Sequence, residues 1–137
     1  MKERRQARVR VMQSLFQADV GGADPERVLL EGKRTDDNPK GAAYAGDLLR
    51  GILKNQAEID AVISRLSQEW ALGRMATVDR QILRVGACEI LFSEIPAAVA
   101  INEAVEIAKL YSNLEGARFI NGILGAIVKE QTHNEEK

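Results

Sequence analysis

Val11, Met12, Leu15 and Ala18 recur at the three- and four-residue spacing that lines one face of an α-helix. Gly21-Gly22 then supplies a stop, so a first helix is predicted from about Arg4 to Asp19. Asp24-Pro25 combines a capping carboxylate with a proline at the first helical position, and opens a short helix through Val28, Leu29 and Leu30. Thr35-Asp36-Asp37-Asn38-Pro39 reads as a loop. Beyond it Ala45, Leu48, Leu49 and Ile52 repeat the helical spacing, and Ile59, Val62, Ile63 and Leu66 repeat it again after a break near Asn55. These are two packed helices or one bent helix.

Trp70, Leu72 and Met75, with Gly73 among them, form an apolar connection expected to lie on the core. Thr77 starts a helix carrying Val78, Ile82, Val85 and Ile90, which must stop at Ile95-Pro96 because the residue before a proline avoids the helical region. Another helix is predicted from about Ala98 to Tyr111. The last is built on Phe119, Ile120, Ile123, Leu124 and Ile127, with a polar end from Lys129 to Lys137 expected to fray. No segment alternates with the period of a strand, so the fold class is all-α, with six or seven short helices in one domain over residues 1–137.

A length of 137 residues, 45% hydrophobic and 28% charged, fits a single core. The apolar run from Ile95 to Ile101 contains Pro96 and falls far short of the roughly 20 residues that cross a membrane. The N-terminus lacks the apolar stretch of a secretory signal, and one cysteine, Cys88, cannot form an internal disulfide. The expected location is the reducing cytoplasm, away from membranes.

Catalytic chemistry is not expected. The single histidine, His133, lies in the polar tail, and Cys88 sits mid-helix as a small packing residue. No phosphate-cradling glycine motif and no nucleophile elbow occurs. Neither cofactor nor metal is implied. Glu103 and Glu106 share a helix flank and read as a solvated face. Glu89 falls within the apolar stripe of Val78, Ile82 and Val85, where a carboxylate needs a paired donor, so an ion pair with an arginine is expected.

Charge changes the picture at the N-terminus. The chain as a whole carries −1, but residues 1–10 hold Lys2, Arg4, Arg5, Arg8 and Arg10 against Glu3 alone. At about 100° per residue the arginines at 4, 5 and 8 continue the stripe of Val11, Met12 and Leu15 instead of opposing it. Cations at a helix start also oppose the helix dipole, at roughly 0.3 to 1 kcal/mol each. The first two turns are therefore expected to overhang the body or to be unwound, free for a polyanion. Arginine forks engage phosphate bidentately and stack on bases. About four such contacts on single-stranded RNA imply a slope of log affinity against log salt of roughly −3.

The chain resembles the NusB family over nearly its whole length. The resemblance rests on Arg4-Arg5-Gln6-Ala7-Arg8 with Gln13-Ser14-Leu15-Phe16, on Val78-Asp79-Arg80-Gln81-Ile82-Leu83-Arg84, and on Ile95-Pro96. It rests further on Ile101-Asn102-Glu103-Ala104-Val105-Glu106-Ile107-Ala108-Lys109 and Phe119-Ile120-Asn121-Gly122-Ile123-Leu124. It implies two small helical bundles and a binding module for transcription antitermination. The implied ligand is the single-stranded box A element of nascent ribosomal RNA transcripts. It would be held jointly with NusE, a ribosomal small-subunit protein, in a complex with RNA polymerase and other Nus factors. By the family pattern the RNA side is Lys2, Arg4, Arg5, Arg8 and Gln13 with Glu115, Arg118 and Phe119, and the NusE side is Phe16, Asp79, Arg80 and Arg84. Phe119 is open to two readings, a base-stacking ring or a core residue one turn before Ile123. Gly116 and Gly125 are departures expected to weaken the last helix. A second functional reading is a protein-interaction adaptor or homodimer with incidental RNA affinity.

Overall fold

Local backbone chemistry sets several helix ends in the computed structural model, which describes residues 2–33, 39–67 and 75–135. The Trp70, Leu72 and Gly73 connection, residues 35–38 of the predicted loop and the last two residues of the tail lie outside the described residues. Helix α1 (Lys2–Gly21) ends where Gly22 turns to φ +71° and its N–H donates to the Ala18 carbonyl at 3.0 Å. Asp24 caps α2 (Pro25–Lys33) by accepting from the Glu26 N–H at 3.1 Å. Helix α3 (Pro39–Lys54) and helix α4 (Gln56–Leu66) are separate. The break falls at Asn55, whose side-chain amide donates to the Gly51 carbonyl at 2.9 Å.

Helix α5 (Thr77–Phe92) stops three residues before the predicted point. Ser93 takes an extended conformation, donates its hydroxyl to the Glu89 carbonyl at 2.7 Å and accepts the Ile95 N–H. Pro96 then begins α6 (Ala97–Tyr111), its carbonyl accepting from Val99 and Ala100. Helix α7 (Leu114–Glu135) continues past Lys129, where the polar tail begins. Arg65 of α4 grips Glu130 through two bonds of 2.6 and 2.9 Å and ties that end to the body.

Helix α5 is the axis of the molecule, with every residue from Gln81 to Ile90 buried. Helices α1, α2 and α3 pack on one another, as do α4, α5, α6 and α7, which are the two bundles expected. They share one hydrophobic core, because α1 and α3 both lie directly against α5. Leu49, Ile59, Ile82, Ile107 and Ile120 are enclosed within it, each contributing about 1.5 to 3 kcal/mol by leaving water. Met75 joins this core at 7% exposure. No described helix is long and apolar enough to cross a membrane.

Candidate nucleic-acid interface

The start of α1 corrects the expectation that its arginines overhang the body. The helix begins at Lys2, and Arg8 is only 2% exposed. Its Nε donates to both oxygens of Glu89 on α5, at 2.8 and 2.9 Å, and its Nη1 donates to Glu103 on α6 at 3.2 Å. The arginine expected to pair with Glu89 is thus Arg8. Tyr44 of α3 also donates its hydroxyl to Glu89. Burial and that bond push the tyrosine hydroxyl above its ordinary value.

Glu103 does not sit on a solvated flank, since it is 3% exposed. Arg5 engages it with Nε at 3.1 Å and Nη2 at 2.6 Å. This bond from Arg5 holds the carboxyl below its ordinary value. Glu106 does follow the expectation, pairing at 3.4 Å with Lys109 at the surface. The arginines can share a face with core residues because α5 and α6 bring carboxylates to meet them.

The remaining cations of the segment behave differently. Arg4 is exposed, with its guanidinium 5.0 Å from the centre of the Tyr44 ring. The Arg5 side chain remains 41% exposed beside its glutamate. Arg10 turns to the α1–α2 junction and donates to the Leu29 carbonyl at 3.1 Å. Gln13 is exposed on the α2 side of α1, bordering the groove that Val28 and Gly32 also line. The side chain of Lys2 lies outside the described residues.

The first turn of α7 carries the other half of the predicted RNA side. Glu115 and Arg118 are exposed, and Phe119 is half-buried against the core, so it keeps part of both readings. Asn113 caps this helix by accepting the Gly116 N–H at 2.7 Å. Gly116 is required here by close approach. A Cβ on it would collide with the Ser112 hydroxyl and lie 3.0 Å from both oxygens of Asp79. The helix runs unbroken through Gly116 and Gly125.

Of the predicted partner side, Phe16 is 37% exposed and Arg80 is half-buried, 3.6 Å from Asp19. Arg84 faces inward. It is 5% exposed, forks onto Asp60 of α4 at 2.8 and 2.9 Å, and reaches Asp19 of α1 at 3.0 Å. Asp79 is buried next to Gly116. Sequence reasoning passed over Tyr44, Asp19 and Asp60, whose polar groups gain meaning only through partners far along the chain. Cys88 is buried as expected, and burial pushes its thiol up to about 11.

Among the described residues no cluster of histidine, cysteine and carboxylate side chains is set to hold a metal. A helical body with exposed cations at one helix start and a cation, a carboxylate and an aromatic ring at another defines an all-α binding module. The chain belongs to the NusB family, whose model matches residues 5–129. It is 51% identical over 128 residues to the transcription antitermination protein NusB of Pelotomaculum thermopropionicum, covering 92% of this chain and 89% of that one. The solved structure of T. maritima NusB superposes with a TM-score of 0.87 at 40% identity, covering 93% of this chain and 91% of that one. A crystal structure of the antitermination factors NusB and NusE in complex with double-stranded RNA superposes with a TM-score of 0.84 at 27% identity, covering 95% and 98% of the two chains. Proteins of this family are transcription antitermination factors and not enzymes.

Proposed function

We propose that this chain is a cytoplasmic RNA-binding antitermination factor that holds the single-stranded box A element of nascent ribosomal RNA transcripts jointly with NusE. In that role it joins RNA polymerase and other Nus factors. The observation that carries the reading is that α6 connects two half-sites. Glu103, which clamps Arg5, lies eight residues before the end of α6 at Tyr111, about 12 Å of helical rise, and Asn113, which caps α7, follows two residues later. At roughly 3.4 Å per stacked nucleotide, about four nucleotides bridge Arg4 and Arg5 to Arg118 and Phe119. A half-exposed Phe119 ring contributes about 1 to 3 kcal/mol by stacking on a base. The related NusB–NusE–RNA crystal structure supports both partners.

In this reading the predicted residues divide by role, and burial and pairing support the division. Arg4, Arg5 and Arg118 meet phosphates, Lys2, Gln13 and Glu115 meet polar groups of the RNA, and Phe119 stacks. Arg8 supports the site from within, because contact with RNA would require breaking its buried pair. Phe16 and Arg80 present the NusE face, backed by the enclosed Arg84 clamp.

A protein-only adaptor or homodimer draws on the exposed Leu110, Tyr111 and Leu114 beside the start of α7. A gel shift of a short box A-like RNA with this protein, with NusE and with both separates the readings. The pair should retain the RNA beyond the sum of the two alone. An adaptor would keep its protein partners undiminished after ribonuclease treatment and give no joint shift.

A further inference from the structure

Two cations of α1 share one aromatic ring on α3. The guanidinium carbons of Arg4 and Arg8 lie 5.0 and 5.6 Å from the centre of the Tyr44 ring. Arg8 also engages Glu89 and Glu103, whereas Arg4 makes no ion pair among the described residues. Among those residues the Tyr44 ring is the partner that steadies an exposed Arg4 in the first turn of its helix.

The ring is itself well fixed. Gly41, Ala42 and Ala45 of α3 are buried, and Tyr44 stands at the edge of that stripe, half-buried against the core. Its hydroxyl donates to Glu89, the carboxylate that Arg8 grips through two bonds. Packing at the base and a hydrogen bond at the tip set the orientation in which the ring meets α1.

A cation held by a ring face differs from one held by a carboxylate. Arg5 gives two N–H groups to Glu103, and its charge is balanced there. Arg4 against Tyr44 keeps its five N–H donors and its charge, because the attraction is to the ring quadrupole. A guanidinium in that state can fork onto phosphate, and one already ordered loses less rotamer entropy in doing so.

We propose that Tyr44 is a positioning residue of the RNA interface, which holds the Arg4 guanidinium in place for a phosphate of the bound strand. Tyr44 touches Arg4 and acts through it. The inference rests on the RNA-binding reading and adds α3 to the helices that shape the site.

The test separates the shape of the ring from its electrostatics. Tyr44→Phe and Tyr44→pentafluorophenylalanine fill nearly the same space and both lack the hydroxyl, but fluorination withdraws negative charge from the ring face. Affinity for a labelled box A-like RNA in the presence of NusE is followed by fluorescence anisotropy at a temperature where circular dichroism shows each protein folded. The fluorinated variant should bind about two- to fivefold more weakly than Tyr44→Phe, the loss expected for a cation–π contact at an exposed site. In an Arg4→Ala background the two should bind alike, an outcome that a purely structural role for the ring would not give. Tyr44→Leu, which keeps apolar bulk without a ring, should show the same dependence on Arg4. Equal affinity of the two ring variants with Arg4 in place, or an undiminished difference after Arg4→Ala, would overturn the inference and leave the RNA reading standing. Failure of the wild-type protein with NusE to bind the RNA would overturn both.

Discussion

Arg4 and Arg8 lie one turn apart on α1 and both approach the Tyr44 ring, at 5.0 and 5.6 Å, yet only Arg8 is enclosed by carboxylates. Removing one partner of a buried pair strands the other charge, so Arg8→Ala should destabilise the protein by about 3 to 5 kcal/mol in urea unfolding. Arg4→Ala should stay within about 0.5 kcal/mol of wild type and lower RNA affinity instead. Equal losses of stability would contradict the division. The sequence made half of this legible. Glu89 announced its need for an arginine by falling in an apolar stripe, but the partner stood 81 residues away. Glu103 was harder to read, since its spacing to Glu106 is that of an ordinary wet flank. Only the packing of α6 beside α1 turns it inward.

At the scale of elements, two contacts set the helices that carry the interface. The first is the Arg5–Glu103 pair between α1 and α6. Glu103 titrates below its ordinary 4.5 in the folded protein, so its contribution is present above that value and is lost as pH falls through the lower, folded one. Glu103→Gln should therefore flatten the fall in stability as pH drops below 4.5, followed by urea midpoints at each pH. A slope unchanged from wild type would show that the pair contributes nothing.

The second contact is the seat of α7 on Asp79. Gly116→Ala should cost about 1 to 3 kcal/mol through overpacking, and Ser112→Ala in the same chain should recover part of it by removing the hydroxyl that the new Cβ meets. If the single variant is as stable as wild type, α7 is not held by that approach. Helix existence and caps were legible because they depend on residues within a few positions, as at Asp24 and Gly22. The persistence of α7 past Lys129 was not, because it depends on Arg65, 65 residues earlier.

For the whole molecule, the basic N-terminus of the sequence becomes a nearly balanced cluster in three dimensions. Arg5 and Arg8 pair with Glu103 and Glu89, which leaves the charge of Arg4 unbalanced among these five groups. Fewer cations are thus available to RNA than the sequence count implies. With Arg8 withdrawn, about three phosphate contacts remain, and the salt slope should be near −2 instead of −3. The family resemblance, carried by motifs spread along the chain, made the fold and the broad role legible. Which cations face outward depended on long-range pairing that composition does not encode.

The most direct test is the affinity of the protein with NusE for a labelled box A-like RNA, measured across a salt series for wild type, Arg8→Lys and the Arg4→Ala/Arg118→Ala double variant. The wild-type slope should be near −2, folded Arg8→Lys should keep it, and the double variant should lose about 0.7 for each contact removed. A double variant with the wild-type slope, or a folded Arg8→Lys protein that loses a contact, would contradict the account.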